Sequence, residues 1–318
     1  MGAPVPFPSE SQPEQRDVLL VNPCAGGGRA AKALQQLKEF ARKRDWAVEI
    51  RETDSPEALA AEACKAKAQG YSRMFVLGGD GTFQVALNAV GAHADVALGI
   101  LPAGGGNDLA AALGLPMNAV RSAELLLGGE TGFLDAARMR CAGGIERLYC
   151  GGGGVGLDAE AASYAGGVYS KMRGRWRYIF SALHALLGFR GVTVRATIEG
   201  EKTTEWSGKA LLLAALNTPS YGAGLHLAPE AKYDDGELDL VMIANLNFFE
   251  VLAILPGLAF RGELRTKRVR RMRIKKVKIE TDGERRFHGD GEIIGSTPVE
   301  VEVVPQAVRI LKPRREAE

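Results

Sequence analysis

Met74-Phe75-Val76-Leu77-Gly78-Gly79-Asp80-Gly81-Thr82-Phe83-Gln84-Val85-Ala86-Leu87-Asn88-Ala89-Val90 is the stretch that decides the fold. Four apolar residues make a buried strand, glycines and an acid make a turn, and a helix-like run follows. Strand, glycine turn and helix form the repeating unit of a parallel α/β sheet, whose ligands bind at the carboxyl ends of strands. Glycines let a phosphate approach the backbone, and a helix start offers free N–H groups and a positive dipole end. Asp80 adds a carboxylate where a phosphate-bound Mg²⁺ needs one. Together these residues suit a nucleotide-dependent phosphotransferase. Alone, the turn also reads as a tight connection capped by Asp80 or Thr82.

The alternation continues on both sides of this stretch. Asp17–Asn22, Trp46–Arg51, Arg73–Leu77 and Val96–Leu101 read as strands. Arg29–Arg44, Pro56–Gln69 and the run after Thr82 read as helices. Strands interleaved with helices of this length imply a parallel sheet with right-handed crossovers. Two more glycine loops fall at strand ends, Gly26-Gly27-Gly28 and Gly104-Gly105-Gly106-Asn107-Asp108. Gly26-x-Gly28-x-x-Ala31 and Gly151-x-Gly153-x-x-Gly156 match a dinucleotide fingerprint, a weak signal in a chain with 40 glycines. The second reads better as backbone crowding. Gly-x-x-x-x-Gly-Lys-Ser/Thr does not occur, which excludes a P-loop enzyme.

From about Thr131 the pattern becomes mainly antiparallel β. Phe133–Arg140, Ile145–Cys150, Val192–Glu199, Lys209–Leu216, Leu238–Ile243, Val269–Glu280 and Val299–Val304 read as strands. Two helical insertions interrupt them. Tyr169–Phe189 follows a basic start, Lys171-Met172-Arg173-Gly174-Arg175, and Phe248–Leu264 is the other.

Length and composition bound the function. The chain has 318 residues, enough for two domains. Its net charge of +2 hides an asymmetry: residues 261–286 hold twelve Lys/Arg against four Asp/Glu. Such a field suits membrane headgroups, nucleic acid or a phosphate-rich partner, or is a solvated strand face. Cys24, Cys64, Cys141 and Cys150 lack metal or paired spacing and suggest reduced cytosolic thiols. No secretory signal is evident. The most apolar span, Val241 to Phe260, holds Asn245, Asn247, Glu250 and Pro256, which argues against a membrane helix. None of the four histidines has metal spacing. Lys232-Tyr233-Asp234-Asp235-Gly236-Glu237-Leu238-Asp239 reads either as a hard-cation site or as a solvated acidic turn. Asp290-Gly291-Glu292 by itself reads as a hairpin turn.

Taken in order, these motifs resemble the diacylglycerol kinase catalytic-domain family: soluble bacterial lipid kinases, with sphingosine and ceramide kinases as relatives. The resemblance runs from Asn22-Pro23 to Pro305. It includes Gly78–Thr82, Pro102–Asp108, Leu113-Gly114-Leu115-Pro116 and Gly154-Val155-Gly156-Leu157-Asp158-Ala159. Tyr221-Gly222-Ala223-Gly224, Asp235–Asp239 and Asp290–Glu292 complete it. NAD kinases also carry Gly-Gly-Asp-Gly-Thr, so the set of motifs carries the likeness.

The resemblance implies an α/β class: an N-terminal three-layer α/β domain with a parallel, NAD kinase-like sheet, plus a C-terminal antiparallel β-sandwich domain. The first would span residues 17–130 with a returning strand at 305–318. The second would span 131–304, and 1–16 would be a disordered arm. ATP would lie between the domains, with its site at Asn22, Thr53, Gly78, Gly79, Asp80, Gly81, Thr82, Gly104, Gly105 and Asn107. Asp80 would serve the catalytic Mg²⁺ and Glu292 would be the general base. Lys232, Asp235 and Glu237 would hold a second, structural Mg²⁺, partly through carbonyl oxygens. The expected protein is cytoplasmic and peripherally membrane-associated, meets its lipid substrate at an anionic membrane surface, binds no nucleic acid, and is compatible with a homodimer.

The chain departs from the family at three points. Gly105 stands where the family has Thr, Gln84-Val85 where it has Asn-Glu, and Gly27 where it often has a basic residue, with Arg29 close by. The rival readings are a NAD kinase and a kinase-derived lipid- or nucleotide-binding regulator.

Overall fold

The structure, a computed structural model, describes residues 16–169, 175–199, 203–222, 224–251, 253 and 268–314. Nearly all of the expected N-terminal arm, the basic start at 171–174, most of the Phe248–Leu264 helix and residues 261–267 lie outside these. Arg16, the last residue of that arm, exchanges bonds with Ser72.

Strands β1 (Asp17–Val21), β2 (Val48–Glu52), β3 (Arg73–Gly78) and β4 (Ala97–Pro102) form a parallel sheet in the order β2-β1-β3-β4. β1 and β4 are buried along their whole length, as strands covered on both faces must be. Between them run helices α1 (Ala25–Arg44), α2 (Pro56–Ala68) and α3 (Asp80–Val90). α2 starts where sequence chemistry places a start: Ser55 accepts from Ala58 N–H, and Pro56 needs no partner for the N–H it lacks. α4 (Asp108–Ala112) and α5 (Ala119–Leu127) follow β4. Asp17 is buried but satisfied by Arg73 and by Trp46 Nε1–H at 2.6 Å.

The remaining strands build the sandwich: β5 (Glu130–Cys141), β6 (Glu146–Tyr149), β7 (Gly152–Gly156), β8 (Val192–Glu199), β9 (Thr204–Leu216), β10 (Leu238–Ala244), β11 (Val269–Ile274), β12 (Lys276–Thr281), β13 (Arg286–Gly289), β14 (Glu292–Ser296) and β15 (Val299–Lys312). Its core includes Met139, Tyr149, Leu213, Leu240, Val277, Phe287 and Val301. Helix α7 (Arg175–Gly188) lies in the expected Tyr169–Phe189 insertion, and α6 (Leu157–Gly166) follows β7 directly. Leu186 of α7 joins Leu212, Leu216 and Val241 in a third cluster.

β15 joins the two parts. It pairs antiparallel with β5 and β12, then runs parallel to β4 through Ile310 and Leu98. The break between its two halves is a bulge at Val304–Val308, where Gln306 takes a φ of 51° and donates its N–H to Asp135 at 2.7 Å. Through Ile310 and Leu98, β15 reaches the sheet of the first domain. The division between domains runs through β5 and β15 themselves, not through a linker. The single strand expected at Val269–Glu280 is two: β11 pairs with β10, and β12 with β8 and β15. Among the described residues no helix is long and apolar enough to cross a membrane.

Candidate active site

Three loops converge at the carboxyl ends of β1, β3 and β4. After β1, Gly26, Gly27 and Gly28 all adopt left-handed conformations, with φ of 63°, 68° and 88°. Packing is too close for a side chain: a Cβ on Gly26 would lie 1.9 Å from Ala103 O, and one on Gly104 would lie 2.3 Å from Gly79 Cα. Asn22 orders the first loop by accepting from Cys24 N–H. Arg29 bridges it to the third, donating from Nε to Gly26 O at 3.1 Å and from Nη2 to Gly104 O. Asn107, with φ of 62°, accepts from Gly104 N–H at 2.8 Å and so closes the third loop on itself. Thr53, expected in the nucleotide site, is buried with its hydroxyl on Val21 O at 3.0 Å, at the same edge of the sheet.

Asp80 is the first residue of α3. Its Oδ2 accepts from Asn107 N–H at 2.8 Å and Asp108 N–H at 3.2 Å, and its Oδ1 from Leu109 N–H at 3.0 Å. The acid of the second loop therefore holds the third. Burial pushes its carboxyl up to about 7, helped by the nearby Asp108 and Asp290 charges and opposed by the N–H donors.

Asp290 and Glu292 reach the same crevice from the sandwich. Asp290 takes a φ of 49°, and its carboxylate accepts from Cys150, Gly151 and Gly152 N–H at 2.8, 2.8 and 3.1 Å. Burial raises it to about 6 against those three donors. Gly291 follows with φ of 95°. The turn puts Glu292 over Gly81: a Cβ there would lie 3.1 Å from Glu292 Cγ and 3.2 Å from Oε1. Asp80–Gly81 and Glu292, 211 residues apart in sequence, thus meet across the cleft.

The acidic turn is held by ion pairs and one backbone bond. Asp235 and Glu237 both pair with Arg273, the latter at 2.8 Å, and Gly236 N–H donates to the buried Asp135 at 2.6 Å. Among the described residues no group of three or more His, Cys, Asp or Glu side chains could hold a metal ion. Asp235 and Glu237 are thus braced by Arg273 in an ion-paired turn that begins at Lys232. Several of the described residues of the basic segment are likewise paired. Arg268 pairs with Glu250, Lys276 with Glu199 and Glu300, and Lys278 with Glu280, while Arg271 donates to Leu227 O at 2.5 Å.

Sequence reasoning missed two groups. Asp135 bonds both the acidic turn and the β15 bulge. Asp158, Tyr221 and His288 form a buried cluster: Tyr221 O–H donates to Asp158 Oδ2 at 2.6 Å and lies 2.8 Å from His288 Nδ1. Asp158 and Tyr221 stand inside family motifs, whereas His288 stands in none and has no metal spacing.

With this geometry in hand, comparison with known proteins is decisive about class. The model of the diacylglycerol kinase catalytic domain matches residues 16–139, and that of the YegS C-terminal NAD kinase beta sandwich-like domain matches residues 153–312. The chain belongs to the diacylglycerol kinase catalytic-domain family and is a kinase. A diacylglycerol kinase of Mycobacterium tuberculosis (strain ATCC 25618 / H37Rv) is 32% identical over 93% of this chain and 94% of its own. One of Staphylococcus carnosus (strain TM300) is 24% identical over 94% of this chain and 96% of its own. Among solved structures, a diacylglycerol kinase of Bacillus anthracis str. Sterne shares the fold, with a TM-score of 0.69 at 20% identity, covering 95% of this chain and 98% of that one.

Proposed function

We propose that this kinase moves the γ-phosphoryl group of ATP to the hydroxyl of an acylglycerol-type lipid. One observation carries the reading: the Glu292 carboxylate lies over Gly81, beside the turn whose glycines and helix start suit a phosphate. The acceptor hydroxyl is a poor nucleophile, and a carboxylate that takes its proton as the new bond forms lowers the barrier. Phosphoryl transfer otherwise needs alignment and charge stabilisation. The three glycine loops supply backbone N–H groups, and Arg29 supplies a cation at the point where two of them meet.

The residues fit a Mg²⁺ carried chiefly by the phosphates. Asp80, Asp108 and Asp290 concentrate negative charge in a buried space and raise the Asp80 carboxyl. Asp80 spends three acceptor sites on backbone N–H groups, and a carboxylate has about four. The ion would neutralise phosphate charge, with Asp80 and its neighbours offsetting the ion. The names of the relatives support a lipid acceptor, and the exposed Val168, Leu187 and Phe249 suit an enzyme that works peripherally at a bilayer.

Radiolabelled ATP with dioleoylglycerol in mixed micelles tests the reading. Glu292→Gln keeps the shape and removes the basicity. Turnover should fall about 10²–10⁴-fold, the usual size of a general-base contribution, with ATP affinity by calorimetry little changed. A fully active Glu292→Gln enzyme would remove Glu292 from the chemistry.

A further inference from the structure

Helix α3 meets the sandwich along one face, through Gly81, Gln84 and Asn88 at positions i, i+3 and i+7. Gly81 lies under Glu292. Asn88 exchanges bonds with Leu148, accepting its N–H at 2.9 Å and donating to its carbonyl at 2.9 Å. Gln84, buried between them, donates from Nε2 to Gly289 O at 3.2 Å. Gly289 is the residue that leads into Asp290-Gly291-Glu292. Asp290 anchors this turn within the sandwich, through the N–H groups of residues 150–152. Gln84 ties the same turn to the helix that begins with Asp80. The sandwich can set the shape of the turn, but its distance from the phosphate site depends on bonds that cross the seam.

We propose that Gln84 is a positioning residue for the reaction: its side-chain amide holds the 289–292 turn against α3 and fixes the Glu292 carboxylate over Gly81. The proposal rests on the reading of Glu292 as general base. Misplacing a reacting group by a fraction of a bond length is costly, because pre-alignment supplies much of the rate. A buried donor that is lost also leaves the Gly289 carbonyl short of a partner. Gly289 itself has little freedom to compensate, since a Cβ there would sit 2.5 Å from Ile294 Cδ1 and 3.3 Å from Gln84 Nε2.

The test uses the full chain, ATP and dioleoylglycerol micelles, with Gln84→Met (similar length, no donor) alone and combined with Glu292→Gln. Gln84→Met should lower kcat about 10–100-fold, the cost of a misplaced group, while the KM for ATP moves only a few-fold. In the Glu292→Gln background the same change should cost little more, because Gln84 acts through Glu292. An unchanged kcat, or an equal loss in both backgrounds, overturns the proposal. Gln84→Asn, one methylene short, should fall between wild type and Gln84→Met, and it takes over the comparison if the Met variant does not fold.

Wild-type protein with no turnover on the lipid would defeat the functional reading separately. Amide hydrogen exchange then decides the positioning role. Gln84→Met should speed exchange at Asp290–Glu292 and leave the core strand β9 protected, and unchanged exchange at the turn overturns the proposal.

Discussion

The individual residues of the site were readable to different degrees. Asp80 and Glu292 were legible because each sits in a short motif whose chemistry is local. What Asp80 bonds was not, since Asn107, Asp108 and Leu109 lie 27 to 29 residues away. Asp158, Tyr221 and His288 had no chance of showing as a group: contacts 63 and 67 residues apart leave no spacing to recognise. That cluster has a testable consequence for pH. Burial pushes the Asp158 carboxyl up from 3.8 to about 6 and the His288 imidazole down from 6.5 to about 4. Between about pH 4 and 6 the unfolded chain carries its proton on the histidine. The folded chain carries it on the acid. Each state holds one proton, so the pair adds little slope to stability in this window. Removing one partner exposes the other. In Asp158→Asn, His288 binds its proton more weakly when folded, so stability rises as pH climbs from about 4 to 6.5. In His288→Gln, Asp158 binds more tightly when folded, so stability falls from about pH 4 to 6. Each slope is at most about 1.4 kcal/mol per pH unit. Melting temperatures across the window should diverge in opposite directions from wild type, and parallel curves for the three proteins would sink the idea.

At the scale of elements, the α/β half was nearly all visible because burial on both faces and helical periodicity both leave marks in sequence. Three strands left none. β7 is Gly152-Gly153-Gly154-Val155-Gly156, which has almost no side chains to alternate. Its glycines are there for crowding, as the sequence suggested: Cβ atoms on Gly152, Gly153 and Gly154 would lie 2.5, 2.8 and 2.4 Å from their nearest neighbours. β13 and β14 are short arms of the turn that carries Glu292, and the turn residues alone were recognised. The break between β11 and β12 is a change of partner at Lys275, not a change of composition. The same pairing changes how membrane contact is to be tested. Arg271 and Arg273 are exposed but already bonded, Arg271 to Leu227 O and Arg273 to Asp235 and Glu237, so reversing their charge would break those bonds as well as any contact with lipid. Leu187 and Phe249 are 73% and 79% exposed, and their neighbours Leu186 and Phe248 belong to the same core cluster. Leu187→Ser with Phe249→Ser should weaken sedimentation with anionic vesicles by about tenfold or more, since burying each such side chain is worth roughly 1.5–3 kcal/mol. Catalysis on a soluble short-chain acylglycerol should be spared. Unchanged sedimentation would leave these side chains as ordinary surface.

The molecule as a whole is joined by shared strands rather than by a hinge. β5 begins beside the C-terminal half of β15 in the α/β core and ends beside its N-terminal half in the sandwich. The α/β core includes Leu134, Leu148, Val304, Val308, Ile310 and Leu311, all from outside residues 17–130. Six large buried side chains at roughly 1.5–3 kcal/mol each amount to a gross contribution as large as a whole domain's net stability of about 5–15 kcal/mol. The first domain, whose sequence reads as a unit, should therefore depend on these strands to fold. The full chain should unfold in a single calorimetric transition, with van't Hoff and calorimetric enthalpies in agreement. A fragment of residues 17–130 should show no cooperative melt. Adding residues 131–150 in cis restores Leu134, Ala136, Leu148 and Cys150 but leaves β4 without β15, so it should not rescue the fragment. Asp135→Ala in the full chain strands two backbone donors, Gly236 and Gln306 N–H, at the bulge where β15 passes between the halves. It should cost at most about 2–6 kcal/mol, the desolvation penalty of about 1–3 kcal/mol for each donor being reduced because both are only partly buried, and lower the one transition without splitting it. Two resolved transitions in the wild type, or a cooperatively folded 17–130 fragment, would show that the shared strands couple the halves far less than their pairing implies.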